Sequence, residues 1–192
     1  MKVGDTKFLD NRYLLLTLFF AVSAVVLWNA KTTGLYVDIE LLSLGEKAPN
    51  FKLERLDGRK HQLKDMHGAV VWIIFGRTSD DKTQIQLKEA REIANKYKEY
   101  DLRILFLSQS QGPTELQKYV DAEGCAAAIL IDKGDRAAAK YHVDFFPTSY
   151  LVDKTGTIRA VYRGVVRADE KGFTRIVGEL LRSGMKNAPD KR

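Results

Sequence analysis

Val70-Val71-Trp72-Ile73-Ile74-Phe75 runs directly into Gly76-Arg77-Thr78-Ser79-Asp80-Asp81-Lys82, and this junction decides the fold. An unbroken apolar run rich in β-branched and aromatic residues suits a central strand buried on both faces. The polar stretch behind it opens a helix. Ser79 is a suitable N-cap, and Asp80 and Asp81 suit the positive end of the helix dipole. Ile85, Ala90, Ile93, Ala94 and Tyr97 follow as an apolar face, so the pattern predicts a helix from Ser79 to Tyr100.

The same alternation continues outward. Leu102–Leu107 reads as the next strand, and Pro113 opens a helix through Val120 with proline at its first position. Ala127–Ile131 is a third apolar strand and Arg136–Tyr141 a short helix. Ser149–Val152 and Ile158–Tyr162 flank Asp153-Lys154-Thr155-Gly156 and predict a hairpin, and Phe173–Leu181 closes the chain as a helix ending near Gly184. Upstream, Phe51-Lys52-Leu53 and His61-Gln62-Leu63 flank Leu56-Asp57-Gly58-Arg59, a second hairpin signal. Leu35–Leu44 alternates Val37, Ile39 and Leu41 with Asp38 and Glu40, as an edge strand or a linker would. Helices alternating with apolar strands, then a hairpin and a last helix, predict an α/β fold with a mixed central sheet covered on both faces.

Composition sets limits. A chain of 192 residues with 45% hydrophobic and 29% charged residues excludes bulk disorder. A single cysteine, Cys125, excludes an intramolecular disulfide, a cysteine-based zinc cluster and two-cysteine redox chemistry within the chain. Cys125 precedes a strand among small residues, where it reads as a small packing residue or, less simply, as a lone thiol for another protein. The net charge is +6 and belongs to residues 45–192, because residues 1–44 balance. That excess suits a solvated surface or, more sharply, an acidic partner or anionic lipid headgroups. Arg and Lys are not interleaved with aromatics, so no nucleic-acid partner is expected. His61, His67 and His142 form no catalytic pattern with a serine and an acid, and Asp80 and Asp81 serve a helix end without a metal.

Tyr13–Ala30 contains no charge over eighteen residues and carries Tyr13 and Trp28 at its ends. About 20 apolar residues span a bilayer, with a lower limit near 17. A cleaved signal peptide is the competitor, but Val22-Ser23-Ala24 lies inside the apolar run and Trp28-Asn29-Ala30 places a tryptophan where a small residue is needed. An uncleaved transmembrane anchor is expected. Lys2, Lys7 and Arg12 precede it and Lys31 alone follows closely, which puts residues 1–12 in the cytoplasm. The expected organisation is an anchor at 13–30, a linker or edge strand at 31–44, a domain at 45–184 facing the periplasm or its equivalent, and a basic tail at 185–192.

Two stretches resemble a known family. Gly45-Glu46-Lys47-Ala48-Pro49-Asn50-Phe51-Lys52-Leu53, continued by Leu56-Asp57-Gly58 and Leu63, resembles the opening of membrane-anchored redoxins, the thiol–disulfide oxidoreductases of cytochrome c maturation. Phe146-Pro147-Thr148-Ser149-Tyr150-Leu151-Val152-Asp153, with Gly156 behind, resembles the cis-proline strand and hairpin of the thioredoxin-like superfamily. The resemblance implies a thioredoxin-like fold over about residues 45–182. It also implies a cis bond at Phe146–Pro147 and a peptide groove where Arg77, Thr78, Ser79 and Asp80 face Phe146, Pro147 and Thr148.

The active site departs from the family. Its Cys-x-x-Cys falls on Ser79-Asp80-Asp81-Lys82, so Ser79 and Lys82 stand at degenerate positions and no catalytic residue is assigned. A second register, in which Phe75-Gly76-Arg77-Thr78 resembles copper chaperones of cytochrome oxidase assembly, puts that family's cysteines on Asp80 and Gln84 and its histidine near Phe145. Peroxiredoxin chemistry meets the same obstacle, because residues 1–124 contain no cysteine. The first expectation is therefore a non-catalytic binding or structural subunit, or an assembly factor, of a membrane complex outside the cytoplasm. It has no metal, no cofactor and no small-molecule substrate. The alternatives are thiol–disulfide traffic through Cys125 or a partner's thiols, and a degenerate copper-chaperone-like factor.

Overall fold

The structure, a computed structural model, describes residues 42–183. Seven strands form one sheet: β1 (Lys52–Arg55), β2 (Lys60–Gln62), β3 (Val70–Gly76), β4 (Leu102–Gln109), β5 (Ala128–Asp132), β6 (Thr148–Val152) and β7 (Ile158–Arg163). The helices are α1 (Asp81–Lys96), α2 (Pro113–Glu123), α3 (Arg136–Lys140) and α4 (Lys171–Arg182). The strand order is β2-β1-β5-β4-β3-β6-β7. Strands β3, β4 and β5 run parallel, while β6 pairs antiparallel with β3, β7 with β6 and β1 with β5.

Strand β3 is buried along its whole length, as its apolar run requires. Its alternation splits the core. Val70, Trp72 and Ile74 face α1 and α4 through Leu87, Ala90, Ile93, Phe173, Val177 and Leu181. Val71, Ile73 and Phe75 face Phe51, Ala137, Ala138, Tyr141 and Tyr150 on the other side. Period-two alternation on a sheet covered twice gives two apolar layers from one strand. The stretch before β1 lies along the second hairpin, with a bridge between Lys47 and Thr157 and a hydrogen bond of 2.9 Å from the Ala48 N–H to the Gly156 carbonyl. Gly58 and Gly156 turn the two hairpins at φ of 83° and 79°, a backbone region that favours glycine.

Several local expectations change. Asp80, not Ser79, is the N-cap of α1, and the helix ends at Lys96 rather than Tyr100. Ile85 is exposed, and the buried face is made by Thr83, Gln86, Leu87, Ala90 and Ile93. The apolar periodicity was incomplete because two polar residues take inward positions, where remote backbone satisfies one and a cap bond the other. Helix α2 runs to Glu123, three residues beyond Val120. Leu42–Leu44 is not strand; the rest of the proposed edge strand, the anchor at 13–30 and the tail at 185–192 lie outside the described residues. Among the described residues no helix is long and apolar enough to cross a membrane.

Candidate functional site

Strand β3 delivers the chain to the start of α1 through a loop that is clamped from beneath. A Cβ at Gly76 would stand 2.6 Å from the Thr83 side chain, so the loop and the first turn of α1 touch there. Thr78 is buried, and its N–H donates to Gln111 Oε1 at 2.7 Å while its hydroxyl accepts from Gln111 Nε2 at 2.9 Å. Gln111 Oε1 also accepts from the Ser108 hydroxyl at 3.0 Å, and Gln111 Nε2 also donates to Glu115 at 2.7 Å. Gln84 Nε2 reaches back to the Thr78 carbonyl at 2.8 Å. A buried polar group without a partner is costly, so this network holds the loop in one conformation.

Helix α1 starts at the end of that loop. Asp80 is extended at φ −99° and ψ 124°, and its carboxylate accepts from the Thr83 N–H at 2.7 Å and the Thr83 hydroxyl at 2.8 Å. Its carboxylate is thereby engaged in capping. Ser79 and Lys82 are exposed on either side of the cap.

The facing segment arrives on β6. Strand pairing sets Phe75 opposite Thr148, which brings the end of β3 beside Pro147. The Phe146–Pro147 bond is cis. The Thr148 hydroxyl donates to the Phe145 carbonyl at 2.7 Å, and the Gly164 N–H donates to the Pro147 carbonyl at 2.7 Å. Phe145 is 40% exposed. The Arg77 guanidinium lies 5.0 Å from the centroid of the Phe146 ring, and Lys82 Nζ lies 5.5 Å from that of Phe145. Arg163, from the end of β7, lies 5.9 Å from the Phe145 ring and pairs with Asp144 at 2.7 Å. Arg77 and Lys82 are thus in direct contact range of the cis-proline segment, and Thr78 and Asp80 form the supporting floor and cap.

Cys125 lies elsewhere. It precedes β5, hence at the beginning of the parallel strands, whereas the head of α1 follows the end of β3. An eight-residue strand such as β4 separates those two ends of the sheet by about 20 Å. Cys125 lines an open cleft of about 660 Å³ together with Lys60, His61, His67 and Arg103. Burial pushes its thiol up, against the weaker pull of the Ala127 N–H and Arg91, so it is protonated near neutral pH. Among the described residues no three His, Cys, Asp or Glu side chains are grouped to hold a metal ion. In the second register Asp80 caps α1 and the Gln84 amide is engaged by Thr78, neither of which is a soft copper ligand.

Gln111 and Arg163 carry no functional signal in the sequence. Gln111 stands in a polar stretch with no periodicity, and Arg163 reads as the end of a hairpin strand. Nothing local marks either one; each acquires its role from a segment distant in the chain.

Residues 44–161, from just before β1 into β7, match the AhpC/TSA family. The chain belongs to that family. It is 29% identical over 148 residues to the thiol-disulfide oxidoreductase ResA of Bacillus thuringiensis (strain Al Hakam), covering 77% of this chain and 86% of that one. It is 31% identical over 125 residues to ResA of a Bacillus cereus strain, covering 65% of this chain and 72% of that one. The crystal structure of a thiol:disulfide interchange protein of the DsbE type from Chlorobium tepidum superposes with a TM-score of 0.68 at 22% identity, over 73% of this chain and 99% of that one. This AhpC/TSA member therefore has the thioredoxin-like redoxin domain of the thiol–disulfide oxidoreductases. Family membership fixes the scaffold, and a shared scaffold does not by itself fix the chemistry.

Proposed function

We propose that this chain is a membrane-anchored, extracytoplasmic redoxin domain that binds protein partners and carries out no thiol–disulfide exchange of its own. One observation carries the reading. The helix head facing the cis-proline bears Ser79 and Lys82, and no cysteine precedes Cys125. Exchange begins with a thiolate attacking a disulfide, and a second sulfur must accept or leave. A serine hydroxyl offers neither a thiolate nor a redox couple. Cys125 does not substitute, since it is half-buried, protonated and at the other end of the sheet.

The oxidoreductase activity for which the relatives are named therefore reaches this chain as a scaffold. The groove between Arg77–Asp80 and Phe146–Thr148 remains as a docking site. The partner is a membrane protein complex or another extracytoplasmic protein, which the chain joins as a subunit or assists during assembly. Residues 13–30 anchor it in the inner membrane with its N-terminus in the cytoplasm and the domain in the periplasm or its equivalent. No cofactor, metal, nucleic acid or small-molecule substrate enters this reading.

The test uses the full-length chain in mild detergent. Reduction of insulin disulfides by dithiothreitol should proceed no faster with the protein than without it, and Cys125→Ser should change nothing. Capture through the C-terminus, followed by mass spectrometry with and without reductant, should return a fixed set of membrane-complex subunits. Partners trapped only without reductant, and lost with Cys125→Ser, would overturn the reading.

A further inference from the structure

The rim of the groove carries charge that its own fold does not neutralise. Arg77 and Lys82 are exposed, and each lies over a phenylalanine ring, at 5.0 Å and 5.5 Å. Among the described residues neither has a carboxylate at ion-pair distance. The acids nearby are engaged. Asp80 caps α1, and Asp144 holds Arg163 at 2.7 Å. Of the described acids on this stretch Asp81 alone remains, against two unpaired cations. A guanidinium stacked on a ring keeps its in-plane N–H donors available, and the ring restrains it, so less side-chain entropy is lost when it binds. Beside these cations Phe145 presents an apolar surface that is 40% exposed.

We propose that the groove receives an extended segment of a partner protein in which Asp or Glu side chains flank an apolar residue. The carboxylates pair with Arg77 and Lys82, and the apolar residue packs on Phe145. This rests on the docking reading above and names the chemistry of its partner. A purely apolar segment would cover two cations without giving them a counter-charge, which is costly. A basic segment would add like charge. A nucleic acid gains from many phosphate contacts, whereas of the three described cations over the Phe145 and Phe146 rings Arg163 is already paired, and Asp80, Asp81 and Asp144 border the other two.

The experiment pans phage-displayed random dodecapeptides on the full-length protein in detergent micelles. Selected sequences are then made as fluorescent peptides and titrated at low and high salt. The expected winners are enriched in Asp or Glu beside Leu, Phe or Tyr, and they bind several-fold more weakly at high salt. The Arg77→Glu, Lys82→Glu double variant should weaken them about tenfold or more. Arg103→Glu, at the far end of the sheet, should leave binding unchanged. All substituted residues are exposed, and circular dichroism confirms the fold of each variant. Neutral or basic winners that respond to Phe145→Ala but not to the double charge reversal overturn the acidic partner and leave the docking groove standing. Tighter binding of oligothymidine than of any peptide overturns the acidic peptide as well. Absence of enrichment, or winners indifferent to every groove variant, overturns both readings.

Discussion

Gly76 and Asp153 show how much a single side chain can matter on this scaffold. At Gly76 an added methyl would meet the Thr83 side chain at 2.6 Å, and Thr83 is buried and held by Asp80. It has nowhere to withdraw. Gly76→Ala should cost about 1–3 kcal/mol in urea denaturation, the usual range for overpacking. Asp153 sits in the β6–β7 turn. Burial opposes its ionisation, yet hydrogen bonds from Thr155, Thr157 and Arg159 outweigh burial and hold its carboxyl at about 2. Its folded value is depressed, so its stabilisation is present above the unfolded value near 4 and is lost as pH falls toward 2; about 2 kcal/mol should disappear across that window. Acid titration of the denaturation midpoint checks this, and Asp153→Asn should flatten much of the slope. Asp57, held at about 2 by Arg59, lies in solvent and adds a smaller share.

At the scale of one element, the start of α1 separates two residues that look alike in sequence. Ser and Asp are both good caps, and both precede the helix. The backbone decides between them, because the Asp80 carboxylate alone reaches the Thr83 N–H. Asp80→Ala should lose about 1 kcal/mol of stability, while Ser79→Ala should stay within about 0.5 kcal/mol. Equal losses in thermal melts would put the helix boundary one residue earlier. Further along α1, Gln86 faces inward and bonds both the N–H and the carbonyl of Val166, at 2.7 Å and 3.2 Å. Glu89 takes the Ala168 N–H at 2.7 Å. One helix thus holds the β3–α1 loop at its head, through Gln84, and the connection from β7 to α4 along its flank.

At the scale of the whole fold, the seven strands and two apolar layers of the described residues place the head of α1 opposite a cis-proline. If the scaffold is intact, chemistry should return with the atoms. Ser79 stands just before the N-cap Asp80 and Lys82 just behind it, on the two sides of the head of α1. The Ser79→Cys, Lys82→Cys double variant should form an intramolecular disulfide on mild oxidation, if the head of α1 can bring the two Cα atoms within about 7 Å, and accelerate insulin reduction, where the parent does not. Free-thiol counting and the turbidity assay read the two effects. Slow alkylation of Cys125 in the native parent, faster after unfolding, is the matching expectation for a thiol raised by burial.

The sequence alone determined what is local. The apolar run of β3, the Asp57-Gly58 and Gly156 turns and the proline at the head of α2 report their own structure, because strand period, turn conformation and helix start depend on a few neighbouring residues. The absence of a cysteine before residue 125 was equally decisive, since no fold can supply a missing atom. Tertiary structure decided which polar groups are inside and what they meet. Gln86 and Gln111 look like solvent residues in sequence and become buried clamps, because their partners lie on distant segments. Likewise the cluster of cations and rings joins Arg77 and Lys82 to Phe145, Phe146 and Arg163 from three separate stretches. Burial and pairing are properties of contacts between remote parts of the chain, and only the packed sheet brings those parts together.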